Sequence, residues 1–155
     1  MEMIYEFRFR HSLTPDGAAE LNKTIKINPD AYYFSYSYST TKNGSLLRGQ
    51  VPVSGTLPIL YPFALAMGSF KGTTNGGISI DETWQENDGL VNTVSAMAPS
   101  SAPSAQFDTG NITKGVWNIM PTYRGDHMSL QGGLLKTNTD VERLYTEHLH
   151  MINAL

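Results

Sequence analysis

The sequence contains no cysteine. Disulfides, thiolate nucleophiles and thiolate zinc sites are therefore excluded. Charge is scarce too. Charged residues make up 16% of the chain, and 11 basic against 14 acidic side chains leave a net charge of −3. The Lys and Arg residues are scattered, whereas nucleic-acid binding needs a concentrated basic face, so nucleic acid is not an expected partner. No apolar run reaches the roughly 18 residues of a membrane span. The opening Met1-Glu2-Met3-Ile4-Tyr5-Glu6 lacks the basic and apolar regions of a signal peptide.

What is present is a globular composition. Of 155 residues, 40% are hydrophobic, enough for one domain that buries about two-thirds of its unfolded surface. Ile4 to Arg10 alternates apolar and charged residues, as a half-buried strand or an extended arm would. Thr14-Pro15-Asp16-Gly17 reads as a helix start, with Thr14 as N-cap and Pro15 in the first turn. Apolar spacing carries that helix over about 15–26.

Tyr32 to Thr40 alternates aromatics with serines and predicts a strand whose aromatic face is buried. Thr41 to Ser45 reads as a turn. Residues 46–82, interrupted by Pro52, Pro58 and Pro62, read as loops with short elements. Ala96 to Gly110, rich in Ser, Pro and Ala, reads as a surface loop. Gly115 to Met120 is a second strand, and Tyr123 to Met128 a turn leading away from it. Thr139 and Glu142 form a capping box for a terminal helix. Its apolar face comprises Val141, Leu144, Tyr145, Leu149, Ile152 and Leu155. This order of elements indicates a mixed α/β chain with a partly parallel sheet. Two strands make a poor sheet for this length, so either the middle holds further strands or the sheet continues beyond the chain.

Two residues carry candidate chemistry. Asp88 lies in Trp84-Gln85-Glu86-Asn87-Asp88-Gly89-Leu90-Val91, a turn entering an ordered element. His127 lies in Gly125-Asp126-His127-Met128, after a strand, where a histidine could act as general base, the role imidazole most often fills. Acid, strand, histidine loop and terminal helix follow the order of the last two triad members in α/β-hydrolases. Asp126 is the alternative acid, but neighbours on a loop seldom point together, so Asp88 is preferred. Glu86 and Asp81 read as solvated surface. His148 and His150 point to different helix faces and make poor metal ligands. Tyr32, Tyr33, Tyr36 and Tyr38 read as a strand face, and Trp84 and Trp117 as core or pocket wall.

Trp84 to Ser95 resembles the catalytic-acid segment of bacterial triacylglycerol lipases of the Staphylococcus and thermophilic Bacillus group. Lys114-Gly115-Val116-Trp117-Asn118 and Gly125-Asp126-His127 resemble the strand and catalytic-histidine loop of the same family. Gly17 to Asn22 and Ala31 to Ser37 resemble its preceding helix and strand. The resemblance runs from about residue 11 to 155, within a single lipase-like C-terminal domain over 1–155. It implies the C-terminal portion of an α/β-hydrolase fold, an incomplete sheet flanked by helices. It further implies hydrolysis of acylglycerol or related esters, with Asp88 as triad acid and His127 as base, and a mostly secreted family.

The family's nucleophile sits in a Gly-x-Ser-x-Gly elbow, and no such motif occurs in the 155 residues. Gly68-Ser69-Phe70-Lys71-Gly72 places its serine directly after a glycine. The family's calcium carboxylates fall at Ser129 and near Leu134 here, so calcium is implied by the resemblance without the carboxylates to hold it. The expected function is therefore the C-terminal half of a lipase that supplies acid and histidine, inactive alone, its serine coming from an upstream half or partner chain. The alternative is a lipase-like binding or regulatory module without catalysis.

Overall fold

The computed structural model describes residues 14–45, 49–132 and 138–155. The arm over residues 4–10 lies outside these. Helix α1 spans Pro15–Asn22, and Thr14 Oγ1 accepts the Gly17 N–H at 3.1 Å, the predicted cap. It stops earlier than the apolar spacing suggests. The Thr24 hydroxyl bonds back to Leu21 O, a local bond that competes with helix continuation. Ile25 is left exposed.

The sheet is small and largely parallel. Strand β1 (Tyr33–Ser35) pairs with β8 (Trp117–Ile119), which pairs with β7 (Ser104–Gln106). Further along, β2 (Tyr38–Ser39) pairs in parallel with β9 (Tyr123–Arg124). The predicted strand over 32–40 is thus one ladder with a break. Tyr33 faces Trp117 and Tyr38 faces Tyr123, so five steps on one strand answer six on the other. The extra residue falls around Pro121, which has no N–H to donate. On either side of it Met120 N–H bonds Ser35 O at 3.1 Å and Tyr123 N–H bonds Ser37 O at 2.9 Å. Tyr123–Arg124, expected in a turn, is strand because this ladder resumes.

The period of two is right, but the deeper face is the opposite one. Ser35, Ser37 and Ser39 are the buried set at 6%, 2% and 0% exposure. Phe34, Tyr36 and Tyr38 are half-buried. A helix covers part of the aromatic side: α3 (Asn138–Ile152) lays His148 edge-on against Phe34 and Tyr36. The Tyr36 hydroxyl lies 2.6 Å from His148 Nδ1. Helix α3 starts one residue before the expected cap, Thr139, whose side chain lies outside the described residues. Its half-buried positions are Val141, Leu144, His148 and Met151, whereas Tyr145, Leu149 and Ile152 face outward. The expected single apolar face is two.

The middle of the chain does hold strands. Thr41–Asn43, expected as a turn, is β3 and pairs antiparallel with β4 (Gln50–Pro52). Strands β5 (Gly72–Thr73) and β6 (Ser79–Ile80) form a second short hairpin. Between them lies α2 (Tyr61–Ser69), with Pro62 in its first turn. The Ala96–Gly110 loop contains β7, wholly exposed yet paired to β8. The apolar core is slight: among the described residues, Leu57, Leu60, Ala64, Ile80 and Met120 are the buried hydrophobic ones.

Candidate active site

Strands β2 and β9 run in parallel, and their carboxyl ends open onto two loops. In open α/β sheets, that edge is where ligands bind. After β2, Thr40 N–H bonds Asn87 O at 2.9 Å and so brings the Asp88 turn to the strand end. After β9, Gly125 N–H bonds Ser39 O at 3.1 Å, and the chain turns through Asp126 to His127.

The Asp88 turn is shaped by its own carboxylate. Asp88 Oδ1 accepts the N–H groups of Leu90 at 2.9 Å and Val91 at 2.7 Å. Gly89 allows the turn with φ +98°. Oδ2 is left for another partner, and that partner is His127 Nδ1 at 2.9 Å. The two residues are also joined through the backbone, His127 N–H to Asp88 O at 2.9 Å. The Asp88 side chain is 11% exposed and the His127 side chain 37%.

This geometry fixes the imidazole. With Nδ1 carrying the hydrogen toward the carboxylate, Nε2 presents a lone pair and can take up a proton. His127 Nε2 has no hydrogen-bond partner among the described residues. An exposed apolar residue follows each of the pair: Leu90, two residues after Asp88, at 51%, and Met128, next to His127, at 36%. The cleft between α3 and the β2/β9 pair, lined by Tyr38, Tyr123 and Leu144 among others, includes neither Asp88 nor His127.

The other sequence candidates go elsewhere. Asp126 turns away from its neighbour's ring: its carboxylate accepts Leu57 N–H at 3.0 Å, Met128 N–H at 3.2 Å and Ser129 Oγ–H at 3.3 Å. Glu86 lies 4.0 Å from Arg124 Nη1. Asp81 does more than sit in solvent. It caps the 3₁₀ turn Glu82–Trp84 through Thr83, whose hydroxyl and N–H hold the Asp81 carboxyl below the usual carboxylate range. His148 is committed to Tyr36 and His150 is exposed. Trp84 and Trp117 are half-buried, with Trp117 against Tyr33 at 5.2 Å between ring centroids.

The residues present do not fit calcium. Ser129, at one expected carboxylate position, is buried and gives its hydroxyl hydrogen to Asp126. Leu134 lies outside the described residues. Among the described residues no three His, Cys, Asp or Glu side chains are grouped as a metal site.

Sequence reasoning passed over Asn87. It is fully buried, donates to Ala64 O at 3.1 Å and Gln85 O at 2.9 Å, and accepts Gly89 N–H at 2.9 Å. It welds the acid turn to α2. An Asn ahead of Asp-Gly was a signal, because its short amide bonds readily to nearby backbone.

Comparison with known proteins gives the same neighbourhood. A family model described as "lipase-like, C-terminal domain" matches residues 7–155. A lipase of Staphylococcus epidermidis is 31% identical over 138 residues, covering 88% of this chain and 18% of its own length. A lipase of Staphylococcus hyicus is 28% identical over 79% of the chain and again 18% of its own length. The chain thus spans about a fifth of the curated relatives it matches. Among solved structures, EstA from Clostridium botulinum superposes with a TM-score of 0.83 at 34% identity, covering 93% of this chain and 34% of that one. The S. hyicus lipase structure gives 0.77 at 26% identity, covering 92% and 37%. On this match, the chain belongs to the lipase-like C-terminal domain family.

Proposed function

We propose that His127 is the general base and Asp88 the orienting acid of a Ser-His-Asp triad that hydrolyses carboxylic esters. On this reading the serine lies outside these 155 residues, in an upstream segment or partner chain. The observation that carries the proposal is the 2.9 Å contact from His127 Nδ1 to a carboxylate already oriented by two backbone N–H groups. The lipase names of the relatives favour acylglycerols as the ester class.

The chemistry follows from the pair. Nε2 takes the serine proton as the hydroxyl oxygen attacks the ester carbonyl, and Asp88 stabilises the imidazolium without taking the proton itself. The proton then passes to the departing alkoxide and leaves an acyl-serine. In the second half, Nε2 takes a proton from water, the resulting hydroxide attacks the acyl carbon, and serine leaves with the proton restored to it. The donors that stabilise the oxyanion come with the serine.

Completion of an α/β-hydrolase sheet is part of the same reading. Among the described residues β1 has a partner on one side only. Ser35 Oγ on that strand is buried without a hydrogen-bond partner. A non-catalytic binding module is the second reading, favoured by the absence of a Gly-x-Ser-x-Gly segment from the sequence.

The test is to exchange the matched C-terminal region of S. hyicus lipase for this chain and assay hydrolysis of a 4-nitrophenyl ester. The chimera is expected to be active and to lose roughly 10³-fold or more in kcat on His127→Ala or Asp88→Asn. This chain alone is expected to show no hydrolysis and no labelling by a serine-directed phosphonate. A folded chimera without activity favours the binding module. Undiminished activity in His127→Ala sinks the triad assignment.

A further inference from the structure

Asp126 is a buried carboxylate with no use in the triad. It is 8% exposed, and no Lys, Arg or His among the described residues lies in ion-pair range of it. A buried carboxylate without a cation is costly unless donors converge on it. Three do: Leu57 N–H on Oδ2, and Met128 N–H and Ser129 Oγ–H on Oδ1. Two of those donors belong to the His127 loop. The third belongs to a segment 69 residues away.

That distant segment leads back to the acid. Leu57 O accepts the N–H of Leu60 at 2.9 Å and of Tyr61 at 3.1 Å, which fixes Leu60 at the head of α2. Leu60 in turn lies against Gly89, so closely that a Cβ on Gly89 would stand 2.9 Å from Leu60 Cβ. Gly89 follows Asp88, Asp88 bonds His127, and His127 follows Asp126. The contacts close a ring through Asp126, Leu57, Leu60, Gly89, Asp88 and His127.

We propose that Asp126 is a positioning residue: by tying the His127 loop to Leu57 it sets the distance between base and acid. This rests on the reading of His127 and Asp88 as a working pair. Without the carboxylate the ring opens, and His127 is held only by its own bonds to Asp88. Asparagine would not substitute. An amide nitrogen in place of Oδ2 would turn a donor toward the Leu57 N–H. Since three donors already occupy the carboxylate, the clamp needs no cation.

The test reads the tautomer of His127 in the 155-residue chain by long-range ¹H–¹⁵N correlation at a pH where the ring is neutral. The chain as it stands is expected in the Nδ1–H form. Asp126→Asn and Asp126→Ala are expected to shift the ratio toward Nε2–H by roughly a factor of ten, the scale of coupling within one hydrogen-bond network. Ser129→Ala, which removes one donor, is expected to move it less and in the same direction. Thr93→Val deletes a hydroxyl bond to Tyr38 O elsewhere and is expected to lower stability without moving the tautomer. Calcium chloride or EGTA is expected to change nothing.

If the Asp126 variants fail to fold, Ser129→Ala decides. An unmoved tautomer in the folded variants, or a calcium-dependent one in the parent chain, overturns the inference. If Asp88→Asn also leaves the tautomer unmoved, the pair itself has failed rather than its positioning.

Discussion

Leu60 covers the bare Cα of Gly89, where a Cβ would lie 2.9 Å from Leu60 Cβ. The glycine also holds φ +98°, a conformation L side chains rarely adopt. Gly89→Ala therefore combines backbone strain of roughly 1–3 kcal/mol with overpacking of roughly 1–3 kcal/mol. The expected loss is about 2–6 kcal/mol, seen as a melting temperature lower by roughly 4–24 °C at about 2–4 °C per kcal/mol. A melt unchanged within error would show that α2 yields freely, and that the acid turn is not held from that side.

Asn87 makes the same junction through hydrogen bonds. Asn87→Ala strands the Gly89 N–H and the Gln85 carbonyl in a fully buried site, and takes the second donor from the helical Ala64 carbonyl. At roughly 1–3 kcal/mol per buried unsatisfied group, the variant is expected to lose about 2 kcal/mol or more. Asn87→Asp keeps the shape and the acceptor for Gly89 but sets a carboxylate against the carbonyls of Ala64 and Gln85. It is expected to be at least as destabilised at neutral pH and to recover on acidification, as the carboxyl regains a donor. Chemical denaturation at two pH values measures both; equal stability of Asn87→Asp and the parent at neutral pH would refute this bonding pattern.

The pairing of Asp88 with His127 was legible because its signals are local. Asp-Gly with apolar residues after it, and a histidine after a strand, need only a few residues each, and their order supplied the pairing. The partner of Asp126 was not legible, since Leu57 lies 69 residues away and offers only its backbone N–H. The alternation of Phe34 to Ser39 marked a strand, yet propensity alone does not say that serines go deepest; that depends on what covers each face. Helix α2 has no polar side to give it a period, so sequence spacing had nothing to read. Strand β4 was masked by Pro52, which sits at the end of its ladder opposite Thr41. Strand β7 is wholly exposed and exists only because β8 offers it an edge.

Tyr36 gives the fold a dependence on alkaline pH. Burial raises its phenol pKa from 10.0 to about 12, helped by the neighbouring Tyr123 and Glu147. A folded-state pKa above the unfolded value means the folded chain holds the proton more tightly. That stability is fully present below pH 10 and is lost as pH rises toward 12. Tyr38, also raised by burial, adds to the same trend. Tyr36→Phe is expected to flatten the fall in melting temperature between those pH values without abolishing it. At neutral pH it is expected to cost about 0.5–1.5 kcal/mol for the lost bond to His148. An equally steep alkaline fall in Tyr36→Phe would exclude this phenol as a source.

Ile59 before α2, Tyr61 and Phe63 in its first turn, and Tyr145, Leu149 and Ile152 on α3 are exposed, against five buried hydrophobic residues among the described residues. Exposed apolar residues grouped on one helix mark an interaction site or a tendency to aggregate. Strand β1 adds an edge without a partner among the described residues. The 155-residue chain alone is therefore expected to self-associate across the micromolar range in sedimentation velocity. Phe63→Lys and Leu149→Lys are expected to reduce association while changing stability by about 0.5 kcal/mol or less, as exposed substitutions do. Association should weaken in both, because α2 and α3 each carry an exposed apolar set. A parent chain that stays monomeric and melts cooperatively would mean these faces need no cover, and would weaken the reading of the chain as part of a larger sheet.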